Sequence, residues 1–187
     1  MWLATAREAH AGAEVQLWFM DEARIGQKGR ACHRWYEKGA RPPGLVDQRF
    51  DSAWLYAAVR PKSGEDVALV LPSVSAEAMG VFLNHFGESL RPGVHAVLAL
   101  DQAGWHGAKA LKVPANVTLV PLPSYSPQLN PVERVWEYLR ERFLSHRLYS
   151  DYDAVVDAAC RAWNRLIAET GRLLSLCAHP WIQQVAS

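Results

Sequence analysis

No stretch of this sequence stays apolar for the roughly 20 residues that a helix needs to cross a bilayer, so a helical membrane protein is not expected. The opening MWLATAREAHAGAE places Arg7, Glu8 and His10 where a secretory leader needs an apolar stretch. Cysteine is scarce: Cys32, Cys160 and Cys177 are odd in number, far apart, and form no C-x-x-C pair. That excludes a disulfide framework and the usual zinc spacings, and it fits reduced thiols in a cytoplasmic protein. Cys177 and His179 come nearest to a ligand motif, and two such side chains alone do not make one. Neither sign of charge prevails; the formal net charge is +1, so only local clusters can speak for or against nucleic acid. Internal repeats, heptads and low-complexity tracts are missing too. No glycine-rich phosphate loop follows the first apolar run, which argues against a nucleotide-binding enzyme on a doubly wound sheet.

What is present is core-forming material. Half of the 187 residues are hydrophobic, enough to bury one core, so a single domain is expected. Residues 1–12 read as a short helix, and residues 15–20 (VQLWFM) as a buried strand that stops at Asp21. Glycine and proline crowd residues 22–44, around a short strand near residues 34–37. Residues 52–60 and 66–71 read as strands joined in a hairpin through the turn sequence PKSGE. The period then becomes helical: Ser75 suits the cap of a helix over residues 76–90 with Met79, Phe82, Leu83 and Phe86 on one face. Residues 94–100 (VHAVLAL) read as a central strand covered on both faces. A short helix near residues 105–112, a strand at 117–120, a helix beginning at Asn130 and Pro131, and a last helix over residues 152–170 complete the order. Strands first and alternation afterwards imply a mixed α/β sheet flanked by helices.

Two of the apolar strands end in an aspartate, Asp21 and Asp101. Ligands in open α/β sheets gather outside the carboxyl ends of the strands, so these two acids are candidates for one site. Carboxylates brought that close repel unless a cation or a proton intervenes, and hard divalent cations select such oxygen donors. Glu133, in the first turn of the helix capped by Asn130, could supply a third. Each acid also has a local explanation. Aspartate after a strand commonly bonds nearby turn backbone, and an acid in a first helical turn suits the helix dipole. Spacing leaves both readings open. A basic cluster, Arg24, Lys28, Arg30, Arg34, Lys38 and Arg41 against the single acid Glu37, reads either as a phosphate-binding hairpin or as a solvated loop.

Four segments in order, FMDEARIG (19–26), HRWYEKGARP (33–42), LDQAGWH (100–106) and LPSYSPQLNPVERVWEYLR (122–140), resemble the catalytic domain of mariner-type transposases, in particular the bacterial insertion-sequence branch. The most specific part is Ser-Pro-x-Leu-Asn-Pro-x-Glu followed by an aromatic residue on a helix. The likeness spans about residues 14–170 and implies an RNase H-like fold with a mixed five-stranded sheet flanked by helices. It implies that Asp21, Asp101 and Glu133 are the Asp-Asp-Glu triad, holding Mg²⁺ or Mn²⁺ as a pair of ions, and that Asn130 shapes the turn before Glu133. His106, five positions beyond Asp101, falls near the metals or a phosphate on this reading, or is simply a first-turn helix residue.

The implied reaction is phosphoryl transfer. Hydrolysis at a transposon end frees a 3′-hydroxyl, which then attacks target DNA. Relatives carry a helix-turn-helix region ahead of this domain that reads the transposon ends. Only 14 residues precede Val15, so that region is expected to be absent or supplied as a separate N-terminal half. A homodimer and an association with the bacterial nucleoid follow from the same likeness. So does the alternative of a silent or truncated remnant that only binds DNA or dimerises.

Overall fold

The structure, a computed structural model, describes residues 2–27, 37–39, 50–104, 111–145, 147–179 and 181–182. After helix α1 (Trp2–Ala9) come strands β1 (Glu14–Gly26), β2 (Ser52–Arg60) and β3 (Glu65–Leu71). Helix α2 (Ala76–Ser89) and strands β4 (Val94–Leu100) and β5 (Val117–Pro121) follow. A 3-10 turn at Pro127–Leu129 leads into α3 (Val132–Leu139), which continues as a π-helical turn, Arg140–Leu144. Helices α4 (Tyr152–Ala168) and α5 (Arg172–Leu176) end the described order. Among the described residues, no helix is long and apolar enough to cross a membrane.

The five strands form one mixed sheet in the order β3-β2-β1-β4-β5. β1 pairs antiparallel with β2 and parallel with β4, and β4 pairs parallel with β5. Side chains alternate across a strand, so β1 serves two cores at once. Trp18 and Met20 meet Met79, Phe82 and Phe86 of α2 on one face. Leu17 and Phe19 lie on the other face with Val135, Trp136 and Leu139 of α3 and with residues of α4. All seven residues of β4 are buried, as a strand covered on both faces requires.

Local signals set the helix starts. The Ser75 hydroxyl accepts the Ala78 N–H at 3.1 Å at the start of α2. At α4 the Asp151 carboxylate accepts the Ala154 N–H at 2.8 Å and caps the helix.

The first strand differs from its sequence reading. Pairing with β4 ends at Phe19, yet β1 runs on through Asp21 to Gly26 as one arm of the hairpin with β2. The reason is visible in its burial: Ala23 and Ile25 are buried while Arg24 between them is exposed, the alternation of a strand with one covered face. The strand expected near residues 34–37 and the helix near 105–112 lie almost wholly outside the described residues. The short helix α5 was not anticipated.

Candidate active site

Strand register brings the first two acids together. In the parallel β1–β4 pair Phe19 stands opposite Ala99, so Asp21 and Asp101 each lie two residues past matched positions at the carboxyl ends of adjacent strands. By alternation Asp21 shares a face with Phe19, the face covered by α3.

The third acid arrives from α3, and the chain before that helix is tied directly to β1. Asn130 is buried, and its side-chain amide donates to the Met20 carbonyl at 2.9 Å while its Oδ1 accepts the Val132 N–H at 3.2 Å. Pro131 already has helical angles (φ −64°, ψ −18°), so Asn130 acts as the cap and Pro131 as the first helical residue. One side chain thus clamps the peptide preceding Asp21 to the Pro131–Val132 peptide, at the start of the helix that carries Glu133. Asp21, Asp101, Glu133 and Asn130 line a single open cavity of about 440 Å³, with Gln102 and Tyr125 also in its wall.

The electrostatics couple the acids. Burial, reinforced by the Glu133 carboxylate, pushes the Asp21 pKa from 3.8 up to about 7. An indole N–H works against that rise: Trp136 Nε1 donates to Asp21 Oδ2 at 2.8 Å. Burial also raises the Glu133 pKa; Arg140 opposes the rise, and Glu137 and Asp101 add to it. Asp101 is exposed, and its Oδ1 accepts the Ala103 N–H at 2.9 Å, so the turn-stabilising role expected of an aspartate after a strand is present as well.

These donors suit a hard divalent cation: three carboxylates in one cavity, two of them pushed toward their protonated forms by burial and by neighbouring carboxylates. They are not drawn into a closed ligand set. Among the described residues, no three His, Cys, Asp or Glu side chains are close enough to hold one ion as they stand.

The other expected site residues fare differently. Arg24 is exposed on β1 but alternates with buried Ala23 and Ile25, so it projects from the sheet face opposite Asp21. Lys38 is exposed in a turn. Lys28, Arg30, Arg34, Arg41 and His106 lie outside the described residues.

Trp136 joins the site without having been expected there. It is buried, at 1% exposure, and its ring sits 6.1 Å from that of Trp163, yet its N–H is spent on Asp21. The available signal was its place three positions after Glu133, one helical turn on. Trp136→Phe keeps an aromatic ring in the core and deletes that donor. The expected result is an Asp21 pKa above its present value of about 7 and weaker divalent-cation binding at neutral pH. Titrating Mg²⁺ affinity against pH in both proteins checks this; identical profiles would show that the hydrogen bond does not matter to the acid.

The model of the DDE superfamily endonucleases matches residues 16–156. The chain belongs to that family. It is 46% identical over 129 residues to the uncharacterised protein y4pE/y4sA of Sinorhizobium fredii (strain NGR234), a match covering 69% of this chain and 96% of that one. Its fold is that of the mariner Mos1 transposase. In the Mos1 strand transfer complex the TM-score is 0.67 at 15% identity, covering 94% of this chain and 54% of the Mos1 chain. For the Mos1 paired-end complex with Mn the TM-score is 0.60 at 15% identity, covering 88% and 56%. The catalytic core of BIV integrase matches with a TM-score of 0.50 at 19% identity, covering 83% of this chain and 86% of that core. The chain spans only about half the length of the Mos1 chains, 54% in the first complex. The mixed five-stranded sheet is therefore RNase H-like, as the motifs led one to expect.

Proposed function

We propose that this domain cuts and rejoins DNA: it hydrolyses a phosphodiester at a transposon end and directs the freed 3′-hydroxyl into target DNA. The observation that carries the reading is the meeting of Asp21, Asp101 and Glu133, from two strands and a helix, in one cavity of a DDE-family fold. Those three carboxylates would hold Mg²⁺ or Mn²⁺, most simply as a pair of ions. The bound cations would supply charge neutralisation for the phosphoryl group and a more acidic oxygen nucleophile. The chain's own part is positional. Asn130 holds two of the acids in register, Trp136 orients Asp21, and the half-buried setting of Asp21 and Glu133 strengthens any charge interaction formed there.

In the same proposal the basic stretch with Arg24, Lys28, Arg30, Arg34, Lys38 and Arg41 neutralises DNA phosphates away from the reacting one, and His106 supports the site beside Asp101. Recognition of specific transposon ends falls to a separate N-terminal DNA-binding half, and the active assembly is a homodimer on DNA.

The test is metal removal. Incubated with supercoiled DNA and Mg²⁺ or Mn²⁺, with a helix-turn-helix half from a related transposase supplied, the domain should nick or join strands. Excess EDTA should reduce that to background, and re-added Mn²⁺ should restore it. Products that form equally in EDTA would defeat the assignment, as would none forming with either metal.

A further inference from the structure

Gln27 is a buried polar side chain that the chemistry of the triad does not use. It follows β1 directly and continues the alternation of Ala23 and Ile25, so it faces the core on the Asp21 side of the sheet. Only 2% of it is exposed, and both ends of its amide are engaged. Its Oε1 accepts the Asp51 N–H at 3.1 Å, and its own backbone N–H donates to the Asp51 carbonyl at 3.1 Å. Its Nε2 donates to the Tyr149 carbonyl at 3.0 Å, across 122 positions of sequence.

The two bonds to Asp51 close the β1–β2 ladder one step beyond the Gly26–Ser52 pair. The strands approach tightly there: a Cβ on Gly26 would stand 2.7 Å from the Asp51 carbonyl oxygen and 2.8 Å from Ser52 Cβ. Closing a strand pair needs backbone bonds alone, whereas an amide taken out of water must be matched at each polar atom. The bond to Tyr149 therefore serves something other than the ladder. Tyr149 is buried in the same core as Val135, Trp136, Leu139 and Phe143, on the chain that continues from α3. Between Gln27 and Asp51 in sequence lies the basic stretch with Lys28, Arg30, Arg34, Lys38 and Arg41. One amide thus ties the root of that stretch to the helix that carries Glu133.

Resting on the reading of the stretch as a holder of DNA phosphates, we propose that Gln27 is a positioning residue for cleavage. It fixes the root of the stretch against the chain leaving α3, so that DNA gripped there is delivered in register with Asp21, Asp101 and Glu133. Grip and register are then separate properties. Grip comes from charge, which tolerates displacement because phosphates repeat along a strand. Register comes from this amide, and a shift of about 1 Å at a reacting phosphate can cost a hundredfold in rate.

Gln27→Met keeps the length and bulk of the side chain and deletes both of its bonds. Gln27→Glu keeps the acceptor for the Asp51 N–H but sets an oxygen against the Tyr149 carbonyl. Each is compared with wild type as the full chain, with the helix-turn-helix half supplied, at a temperature where melting curves show it folded. Duplex binding is followed in Ca²⁺ across a salt series, and cutting of supercoiled DNA in Mg²⁺. Both variants should bind with close to wild-type affinity and salt slope, since the stretch keeps its charges. Both should cut with a kcat about 10- to 100-fold lower and little change in KM. Wild-type kcat in folded Gln27→Met overturns the proposal. So does wild-type kcat in Gln27→Glu beside a slow Gln27→Met, because the residue would then only close the strand pair. A rise in KM as large as the fall in kcat also overturns it, by placing Gln27 in the grip. The double variant Lys28→Ala with Arg30→Ala tests the reading beneath: it should bind more weakly, with a shallower salt slope. Unchanged binding there removes the phosphate-holding role and the proposal with it, whereas weakened binding beside a normal Gln27→Met sinks the proposal alone.

Discussion

Asp21→Asn should abolish metal-dependent DNA cleavage, by about a thousandfold or more, while making the fold more stable at neutral pH. The two effects have one origin. Asparagine keeps an oxygen that accepts the Trp136 indole N–H and has nearly the same volume, so packing is preserved; what disappears is a negative charge held in a poorly solvated place beside Glu133. In the folded chain Asp21 has a pKa of about 7, against 3.8 for an ordinary aspartate. Between those values the folded state holds a proton that the unfolded state has released, so stability falls as pH rises from about 4 to about 7 and levels off above. Fully ionised, the group costs the fold on the order of 2–4 kcal/mol.

Asp21→Asn should remove that slope and recover most of that cost above pH 7, whereas Mg²⁺ should flatten the slope in the wild type by binding the folded state. Urea unfolding in EDTA at mildly acid and mildly alkaline pH, run beside a cleavage assay, checks both. Normal cutting by Asp21→Asn, or a loss of stability at alkaline pH, would refute the account. Asp101→Asn and Glu133→Gln should lose cleavage to a similar degree. Glu133→Gln should also gain a little stability, because burial raises the Glu133 pKa in the fold.

Asn130→Ala should lower both stability and activity. Its amide makes two buried hydrogen bonds, to the Met20 carbonyl and from the Val132 N–H. Deleting it strands a buried carbonyl and uncaps α3, a loss of about 2–3 kcal/mol. The same amide sets Asp21 against Glu133, so divalent-cation affinity and cleavage should fall about 10- to 100-fold even at temperatures where the variant is folded. Asn130→Asp keeps the cap acceptor but turns an oxygen toward the Met20 carbonyl and adds charge beside two acids whose pKa values are already raised. It should therefore lose more activity than its cap would suggest. Calorimetric Mg²⁺ titration and thermal melts of both variants check this. Unchanged cation affinity in folded Asn130→Ala would show that the clamp serves α3 alone.

Much of this architecture was readable in local pattern. The apolar runs ending at Asp21 and Asp101 marked two central strands, and Ser75 and the Asn130–Pro131 pair marked helix starts, because periodicity and capping are short-range effects written in neighbouring residues. Those same runs made the two aspartates candidates, and the motif around Glu133 added the third acid.

Tertiary structure decided what no window of sequence contains. Strand β1 continues past Asp21 because β2 offers it a partner, and Arg24 is turned to the face away from Asp21 by the alternation that follows. The Asp21–Trp136 and Met20–Asn130 hydrogen bonds join residues more than a hundred positions apart. The Asp21 pKa of about 7 depends on what surrounds that carboxyl once the layers close. Sequence alone determined which segments are strands and helices and which acids could react, since backbone propensity and burial pattern act over a few residues. The hydrogen-bond partners, the direction of each side chain and the burial of Asp21 come from elements distant in the chain, and they exist only when the sheet and its helices pack.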